Sequence, residues 1–568
     1  MLSHQEIRQK FLKFFEKRGH KIVPSSSLLP DDPSVLFTTA GMQQFKPYYT
    51  GQADPMKDFG ALNTVSIQKS MRTSDIDEVG DESHLTFFEM LGNFSFGGYF
   101  KKEAIEYAYE FITKEMGLKI DYVSVFGGED GVPSDEDSEK LWKALNSQIE
   151  VKKFGRGDNF WGPTGDEGPC GPTTEVYVSG VEIWNIVFNQ YFQDKSKKLT
   201  PLKIQGIDTG MGLERLAMVV QKKNNIFETD LFSPLMEFLP KELPERIKRT
   251  IVDHARSVMF LLSDGVRPSN KEAGYVLRRL LRRVFVYMHL YKLRPDTLEE
   301  LMKIVFGKYG ETYPELFKNR NDTINAMWME YVKFNKTVGQ GIKEMEKMEK
   351  IDAQSAFRLY ESYGLPYEII KELGGDKTKQ LTREAFDEEF KKHQEKSRAG
   401  AEKKFGGHGL LMDTGELKAG NEEELKKATR LHTATHLLHS ALRKIFGSEV
   451  HQQGSDITAE RLRFDFTFPR KMTPEEIKQV EDMVNEAVKK DYKVTKVEMP
   501  YKDAIKSGAL AFFKLKYPPT VNVYSVGDFS KELCGGPHVS HTAEIGHIKI
   551  TKEEAISAGV RRIRATVD

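Results

Sequence analysis

The sequence predicts an α+β fold, and three observations lead to that class. Between Val23 and about Val220, short apolar runs alternate with turn clusters and many glycines, which is typical of an antiparallel sheet that supports loops. From about Pro240 to Arg398, apolar residues recur at steps of three and four, as in amphipathic helices. The C-terminal part mixes a helical segment, RLHTATHLLHSALRKIFG, with a strand-like segment, RLRFDFTF.

The changes in pattern also predict the domain boundaries. A length of 568 residues allows three or four domains of about 150 residues each. The chain begins with an amphipathic helix, in which Ser3 and Glu6 have the spacing of a capping box and Ile7 and Phe11 lie on one face. The predicted segments are a first domain over 1–239, a helical domain over 240–398, a linker over 399–427 and a last domain over 428–568.

Composition limits the possible function classes. Hydrophobic residues make up 39% and charged residues 30% of the chain, as in ordinary globular proteins. No long apolar run suggests a membrane span or a secretion signal, so we expect a cytoplasmic protein with no membrane partner. Cys170 and Cys534 are far apart, which excludes a disulfide framework. The formal net charge is zero, so a nucleic-acid partner would have to bind a local basic patch.

A predicted hairpin is the first candidate for ligand binding. Its strands carry the segments LNTVSIQKSMRTS and HLTFFEMLGNFSF, and we expect Arg72, His84 and Phe88 on one pleated surface. An arginine matches phosphate oxygens, a histidine adds a donor, and a phenylalanine offers a flat face to a base. The alternative is a surface arginine beside a core phenylalanine.

A glycine-rich turn is the second candidate. In IQGIDTGMGLERLAMVV a strand ends in a turn and opens a helix whose first turn carries Arg215. Gly210 and Gly212 would let a ligand approach the backbone closely. The sequence contains no GxxxxGK[ST] phosphate loop, so any ATP would be bound in another way.

An arginine-rich helix is the third candidate. The segment YVLRRLLRR places four arginines along one helix flank, and such a stripe suits RNA phosphates. The alternative is a solvated helix face. The four residues are Arg278, Arg279, Arg282 and Arg283.

Four metal-type side chains are the fourth candidate. His432 and His436 are one helical turn apart, and Cys534 and His538 repeat that spacing about a hundred residues later. Two histidines, a thiolate and a third histidine make a plausible tetrahedral zinc set. A zinc protease would need glutamate after the first histidine of HExxH, but Thr433 is there.

Several longer segments of the sequence resemble those of a known family. The chain resembles the class II aminoacyl-tRNA synthetases and, among them, the alanyl-tRNA synthetase family. The matching words include KFFEKRGHKIVPSSSLLP, HLTFFEMLGNFSFGGYF, GDNFW, GPCGP, EIWNIVFNQ, IDTGMGLERLAMV and DGVRPSNKEAGYVLRRLLRR. The resemblance implies a catalytic domain with an antiparallel sheet over 1–239, a tRNA-recognition domain over 240–398 and an editing domain over 428–568.

The resemblance also implies the substrates and the residues that bind them. It makes alanine and ATP with Mg²⁺ the small-molecule substrates, and Arg72, His84 and Arg215 the catalytic residues. ATP would be bound by Arg72, His84, Phe88, Glu175, Gly212 and Arg215, with Glu175 as the carboxylate for the metal. Alanine would be bound by Trp161, Asn185 and Asp208.

For the RNA partner, the resemblance implies the acceptor stem of alanine tRNA and its G·U pair. Asn270 matches a base-contacting asparagine of the family, and the arginine stripe belongs to the same region. Glu361 stands where the family usually has aspartate.

LHTATHLLHSAL and FSKELCGGPHV resemble the editing domain shared by alanyl- and threonyl-tRNA synthetases. The resemblance implies that His432, His436, Cys534 and His538 bind Zn²⁺ and that Gln452 helps to position the substrate. An alanine pocket cannot strongly exclude glycine or serine, so a second, hydrolytic site is expected. The zinc could activate water or orient the mischarged ester; the sequence leaves both open.

Two further expectations concern what surrounds these domains. We expect no counterpart of the β-barrel that the family usually places before the editing domain, and none of its C-terminal coiled coil and elbow-binding domain up to Asp568. We therefore expect a monomer, or at most a weak dimer. Two rival functions remain open, a deacylase that has lost activation and a tRNA-binding regulator without chemistry.

Overall fold

Nine strands form the sheet that organises the N-terminal half of the chain. In the computed structural model the described residues are 1–32, 34–392, 422–511, 520–557 and 559–568. The strand order is β1-β2-β3-β9-β8-β7-β4-β5, with β6 paired to β7. The pairs β1·β2 and β4·β5 are parallel and the other pairs are antiparallel. The strands are β1 (Lys21–Ile22), β2 (Asn63–Met71), β3 (Phe87–Ser95), β4 (Tyr122–Phe126), β5 (Glu150–Phe154), β6 (Phe160–Trp161), β7 (Gly168–Val178), β8 (Val181–Gln193) and β9 (Leu199–Gly212).

Helices cover this sheet, and the first of them has the predicted capping box. Ser3 and Glu6 exchange the two hydrogen bonds of the box, and Ile7 and Phe11 are fully buried. The helices that accompany the sheet are α1 (His4–Glu16), α2 (Lys46–Tyr49), α3 (Pro55–Phe59), α4 (Lys101–Glu110), α5 (Glu136–Leu145), α6 (Arg156–Asn159) and α7 (Leu213–Val220). The α+β class predicted from the sequence is confirmed.

A run of helices follows the sheet and belongs to the same compact unit, Met1–Glu389. Residues 1–389 of the two segments predicted as separate domains, 1–239 and 240–398, therefore form one unit. The last of these helices continues to residue 392, beyond the unit's boundary. These helices are α8 (Ser233–Phe238), α9 (Glu245–Ser263), α10 (Glu272–Leu290), α11 (Thr297–Tyr309), α12 (Glu315–Lys318), α13 (Arg320–Asn335), α14 (Val338–Lys347), α15 (Ala353–Tyr363), α16 (Tyr367–Gly374) and α17 (383–392).

The second compact unit is Phe390–Asp568. Its helices are α18 (Glu422–Phe446), α19 (Pro474–Lys489) and α20 (Tyr501–Lys506). One antiparallel sheet has the order β10-β11-β16-β15, and a second has the order β12-β13-β14. The strands are β10 (Gln452–Ile457), β11 (Leu462–Thr467), β12 (Val494–Pro500), β13 (Thr520–Val526), β14 (Ser530–Leu533), β15 (Ile548–Ser557) and β16 (Val560–Val567).

The predicted linker, 399–427, is corrected at its C-terminal end. Residues 422–427 lie in α18, whose first described turn carries the acidic residues Glu422, Glu423 and Glu424, which favour the N-terminal end of a helix. Residues 399–421 lie outside the described residues. In the described parts of the chain, no helix combines the length and the apolar character that a membrane span requires.

A buried ion pair joins α1 to the central sheet. Arg8 on α1 donates from Nε to Glu89 Oε1 at 2.9 Å, and its Nη2 also contacts Glu89. Tyr313 donates to the same carboxylate at 2.9 Å. The side chains of Arg8 and Glu89 are 4% and 0% exposed, so neither charge is solvated by water. Removing one partner would leave an uncompensated buried charge.

We expect Arg8→Leu to lower the free energy of unfolding of the chain by about 3–5 kcal/mol, because Glu89 would stay buried without its cation. Lys10→Leu on the same helix is the matched control. Lys10 pairs with Glu115 at 3.4 Å, and both side chains are about two-fifths exposed, so we expect a change below about 1 kcal/mol. Denaturant unfolding of the two variants tests this difference, and equal losses would contradict it.

Candidate active site and metal centre

A cavity of about 310 Å³ opens on one face of the large sheet. All nine side chains or glycines predicted for ATP and alanine binding line it. They are Arg72, His84, Phe88, Trp161, Glu175, Asn185, Asp208, Gly212 and Arg215. The chain therefore brings together residues from the hairpin, from β7 and β8, and from the junction of β9 with α7. The glycine-rich turn predicted there is wrong, because β9 runs to Gly212 and α7 begins at Leu213.

Strand register explains how distant residues reach one face. Asn185 on β8 lies opposite Glu175 on β7 and opposite Gly210 on β9. Asp208 and Gly212 are two residues from Gly210 in either direction, and side chains two apart on a strand point to the same face. A Cβ on Gly210 would lie 2.9 Å from Met90 Sδ, whereas one on Gly212 would meet nothing nearer than 3.9 Å. Gly212 thus leaves open space at the edge of the cavity.

Two of the hairpin residues lie beyond the strands that were predicted to carry them. Arg72 follows the last residue of β2, and His84 precedes β3, so the pleat places only Phe88. The ends of the connection are tied together because Arg72 N–H donates to the Thr86 carbonyl at 3.0 Å. The Arg72 guanidinium carbon lies 5.0 Å from the centre of the Phe88 ring. The expectation that all three residues sit on one pleated surface is therefore wrong, although the three do line one cavity.

Arg72 and Arg215 provide cationic groups to the cavity. Within the described residues, no carboxylate forms an ion pair with Arg72, and burial lowers the pKa of its guanidinium, with Arg215 adding to this effect. Arg215 donates from Nη1 to the carbonyl of Glu182 at 3.1 Å and to Glu182 Oε2 at 3.2 Å. A ligand with phosphate oxygens would compete for these donors.

His84 is held by two acids that the sequence analysis did not identify. Its Nδ1 contacts the Asp81 carboxylate, and its Nε2 lies 3.3 Å from Glu78 Oε2. The hydrogen bond to Asp81 raises the pKa of His84 despite partial burial. His84 is therefore favoured in its charged form, which suits a polyanionic ligand.

Asp208 is a buried carboxylate whose cation is not supplied by the described residues. The residue is 5% exposed, and no hydrogen-bond donor or cation in the described chain pairs with it. Burial raises the pKa of Asp208 to about 7. A positively charged ligand group beside it would favour its ionised form.

Glu175 and Asn185 are hydrogen-bond partners. Asn185 Nδ2 donates to Glu175 Oε1 at 2.9 Å, while Tyr177 and Ser124 donate to Oε2 at 2.8 and 3.1 Å. Burial, together with the charge of Glu182, raises the pKa of Glu175 to about 7. Three donors leave this carboxylate little free capacity, so Glu175 could serve Mg²⁺ only as one ligand beside substrate phosphates.

Trp161 closes another wall of the cavity. It is half-buried, and it packs against an apolar cluster that includes Met42, Phe45 and Phe94. The ring therefore serves the core and the cavity at once.

The predicted arginine stripe is mostly covered by the chain itself. Arg283 is 2% exposed and donates from Nη1 to the Ile76 carbonyl at 2.7 Å. The side chain of Arg279 is 13% exposed and contacts the carboxylates of Asp77 and Glu368. The expectation of an exposed stripe is wrong for these two arginines, because acids and carbonyls of the same unit are their partners.

The other two arginines share one acid. Arg278 and Arg282 approach Glu330 Oε1 at 3.1 and 2.9 Å, and their side chains are 12% and 15% exposed. Arg278 also contacts the side-chain oxygen of Asn270, which is exposed. Glu361 on α15 is exposed as well. The residues open to a large partner are thus Asn270 and Glu361 rather than the arginine row.

The second unit brings the four metal-type residues together. One ligand atom from each of His432, His436, Cys534 and His538 lies within 4.8 Å of the others. Cys534 Sγ is 3.4 Å from His432 Nε2. Burial would raise the pKa of the Cys534 thiol, but the three histidines hold it well below its usual value. A thiolate among imidazoles is the donor set that Zn²⁺ prefers.

The outer nitrogens of these histidines are oriented by other residues. His432 Nδ1 lies 3.0 Å from the Pro537 carbonyl, and His538 Nδ1 lies 3.2 Å from Thr433 Oγ1. His436 Nδ1 contacts Glu532, while Nε2 of both His436 and His538 is buried without a hydrogen-bond partner in the described structure. Nitrogens arranged in this way fit a metal ion. A lone glutamate in FSKELCGGP gave no signal that Glu532 belongs to the site.

Gln452 has a different environment. Its Nε2 donates to Ser455 Oγ at 3.1 Å, on the same strand β10. In the described residues, no hydrogen bond joins Gln452 to the four metal-type residues. Its predicted role in positioning a substrate stays a prediction.

Comparison with known proteins places the chain in a class. The family profile described as "tRNA synthetases class II (A)" matches residues 6–456, and "Threonyl and Alanyl tRNA synthetase second additional domain" matches residues 521–564. The antiparallel sheet and its cavity agree with a class II aminoacyl-tRNA synthetase.

Individual relatives identify the family within that class. The alanine–tRNA ligase of Treponema pallidum is 41% identical, and the match covers 99% of this chain and 98% of that protein. The alanine–tRNA ligase of Borrelia hermsii is 42% identical, with 99% of each chain covered. That of Thermotoga maritima is 37% identical, with 80% of that protein covered. The chain belongs to the alanyl-tRNA synthetase family.

The burial of Arg283 leads to a stability prediction. We expect Arg283→Met to lower the free energy of unfolding by about 1–3 kcal/mol, because the Ile76 carbonyl loses a charged donor inside the protein. Lys271→Met, at the exposed start of the same helix, is the control and should change it by less than about 0.5 kcal/mol. Denaturant unfolding measures the free energy of unfolding of both variants. If Arg283→Met had the same free energy of unfolding as the wild type, the proposed stabilising role of buried Arg283 would be contradicted.

Proposed function

We propose that this protein is an alanine–tRNA ligase. It would activate alanine with ATP to alanyl-adenylate and transfer the alanyl group to the 3′ end of alanine tRNA. The observation that carries the proposal is the placement of Asp208. An unpaired acidic group lies in the same cavity as Arg72, Phe88 and Arg215, so one cavity offers sites for an ammonium and for a nucleotide.

The activation step needs little proton transfer. An oxygen of the alanine carboxylate attacks the α-phosphorus of ATP, the bond to the bridging oxygen breaks, and pyrophosphate leaves. Arg72 would bind the α-phosphate, and the charged His84 the distal phosphates. Phe88 and Arg215 would lie on opposite faces of adenine, beside Gly212. Such a reaction depends on positioning and on neutralising negative charge. Bound Mg²⁺, with Glu175 as a ligand, would add positive charge on the phosphates.

The amino acid would be fixed at the opposite end of the cavity. Asp208 would accept the α-ammonium of alanine, since its pKa of about 7 leaves it ready to ionise beside a cation. Asn185, held by Glu175, and Trp161 would limit the space for the side chain. For the tRNA, Asn270 and Glu361 would contact the acceptor stem, with Arg278 orienting Asn270.

The second unit would remove wrongly attached amino acids. We propose hydrolysis of Ser-tRNA(Ala) and Gly-tRNA(Ala), because a missing methyl group or an added hydroxyl is discriminated only weakly by an apolar pocket. His432, His436, Cys534 and His538 would hold Zn²⁺, with Gln452 near the substrate. The support is the donor set and the buried Nε2 atoms of His436 and His538.

Asp208 should make alanine binding depend on pH. Below a pH of about 7 the carboxyl is protonated and offers no charge to the ammonium, so the KM for alanine should fall as the pH rises from about 6 to 8. We expect Asp208→Asn to raise this KM about 10- to 100-fold and to abolish the pH dependence. Alanine-dependent ATP–pyrophosphate exchange measures both effects.

Asp166→Asn is the control for Asp208→Asn, because Asp166 is exposed in the connection between β6 and β7. It should leave the KM for alanine and the KM for ATP unchanged. The KM for ATP should also stay within about twofold in Asp208→Asn, because the residue lies at the alanine end. If the wild-type protein showed no alanine-dependent exchange, the ligase proposal would fail.

Loss of one zinc ligand should separate the two activities. We expect Cys534→Ser to lower the zinc content per chain and to abolish hydrolysis of Ser-tRNA(Ala), while alanine-dependent exchange persists. Glu532→Gln should weaken zinc binding about 10- to 100-fold, because His436 loses its orienting partner. His547→Asn, on an exposed histidine of the same unit, is the control. Full zinc content in Cys534→Ser would contradict the assignment.

A further inference from the structure

The connection between β2 and β3, from Arg72 to Thr86, carries both Arg72 and His84, and we call it the Arg72–Thr86 loop. Helices that follow the catalytic sheet hold this loop. Thr86 N–H donates to Asp253 Oδ1 on α9 at 2.9 Å, and Thr250 Oγ1 on the same helix lies 3.3 Å from the Val79 carbonyl oxygen. The loop's position is thus set by α9 as well as by the sheet.

The middle of the loop is fixed by a group of four charged residues, which we call the Asp77 cluster. Arg279 Nη2 donates to Asp77 Oδ1 at 2.6 Å, and Arg383 Nη2 lies 3.0 and 3.2 Å from the two Asp77 oxygens. Both arginines also contact Glu368, whose side chain is 4% exposed. The two arginines, with Asp77 and Glu368, therefore form a neutral network between the loop and the helices α10, α16 and α17.

The strength of this network follows from burial. Burial would raise the pKa of Glu368, but Arg279 and Arg383 hold it well below its ordinary value. Next to the cluster, Arg283 donates to the Ile76 carbonyl at 2.7 Å, and Ile76 is fully buried. Two consecutive loop residues, Ile76 and Asp77, are thus attached to one helix, α10.

The Arg72 backbone is fixed at the end of β2 by its hydrogen bond to Thr86, but its guanidinium has few contacts of its own. Its guanidinium forms no ion pair with any described residue, and its ring neighbour Phe88 constrains it only weakly. Asp75, which lines the cavity with Arg72, is two residues from Asp77. A shift of the loop would therefore move the groups that face a bound phosphate.

We propose that Asp77, Arg279 and Arg383 are positioning residues for ATP binding: they fix the Arg72–Thr86 loop, and with it Arg72 and His84, against the helices that follow the sheet. This inference rests on the proposed function, in which Arg72 and His84 bind the phosphates of ATP. It gives Arg279 a role in nucleotide binding rather than in contact with RNA. Asp208, on β9, is outside the loop, so alanine binding should be independent of the cluster.

The test is alanine-dependent ATP–pyrophosphate exchange of the full chain without tRNA. We expect Asp77→Asn to raise the KM for ATP about tenfold, because the neutral amide no longer holds the two arginines, while the KM for alanine stays within about twofold. Arg279→Gln should act alike. The double variant should be no worse than the single ones, because both substitutions disrupt the same cluster. Asp77 is partly exposed, so Asp77→Asn should fold normally, as thermal unfolding would verify.

Glu330→Gln is the matched control. Glu330 also pairs with two arginines of α10, Arg278 and Arg282, and these pairs do not touch the loop. Its side chain is 4% exposed against 43% for Asp77, so its loss should disturb the helices at least as much. It should lower the unfolding temperature without changing the KM for ATP. The proposal is overturned if folded Asp77→Asn has a wild-type KM for ATP, or if Glu330→Gln raises that KM as much. If Arg72→Ala lost alanine-dependent exchange while Asp77→Asn kept the wild-type KM for ATP, the ligase proposal would stand. Only the positioning role of the Asp77 cluster would then be rejected.

Discussion

A carboxylate buried without a cation of its own is the constraint on which the catalytic cavity depends. Asp208 lies on the central strand β9 and is 5% exposed, and burial brings its pKa to about 7. The chain tolerates this cost because the neutral form of the carboxyl remains accessible near neutral pH. A ligand whose ammonium group pairs with Asp208 would offset the free-energy cost of ionising this buried carboxyl. If Asp208 binds the amino acid as proposed, selection of that substrate would follow from desolvation as much as from shape.

Much of the fold and of the cavity could be predicted from residue patterns that act locally. The capping box of Ser3 and Glu6 and the helix that follows Gly212 depend on neighbours in sequence, and both are present. The turn predicted at Gly210 and Gly212 is instead the end of strand β9. The cavity residues were predicted through the family resemblance, and their convergence follows from strand register. Periodicity alone placed Arg72 and His84 on strands, although they lie in the connection between them.

The features that the sequence did not predict are partnerships between distant residues. Glu182 pairs with Arg215, Asp81 holds His84, and Glu532 orients His436. Helical spacing showed that Arg283 and Arg279 share a flank, but it contained no information about the acids packed against that flank. A row of arginines looks the same in sequence whether water, RNA or another part of the chain covers it. Only the tertiary contacts distinguish these cases.

The two units compensate their buried charges in opposite ways. In the catalytic cavity, Arg72 and Asp208 have no ion-pair partner in the described chain, and a substrate that carries both phosphate and ammonium would complete the charge balance. In the second unit, the Cys534 thiolate is balanced by histidines whose outer nitrogens are already engaged by Pro537 and Thr433, so only the inner atoms remain for a cation. A substrate must enter and leave, which requires charges that are weakly compensated within the protein. A structural or catalytic ion can stay, and its ligands can therefore be fixed by permanent hydrogen bonds.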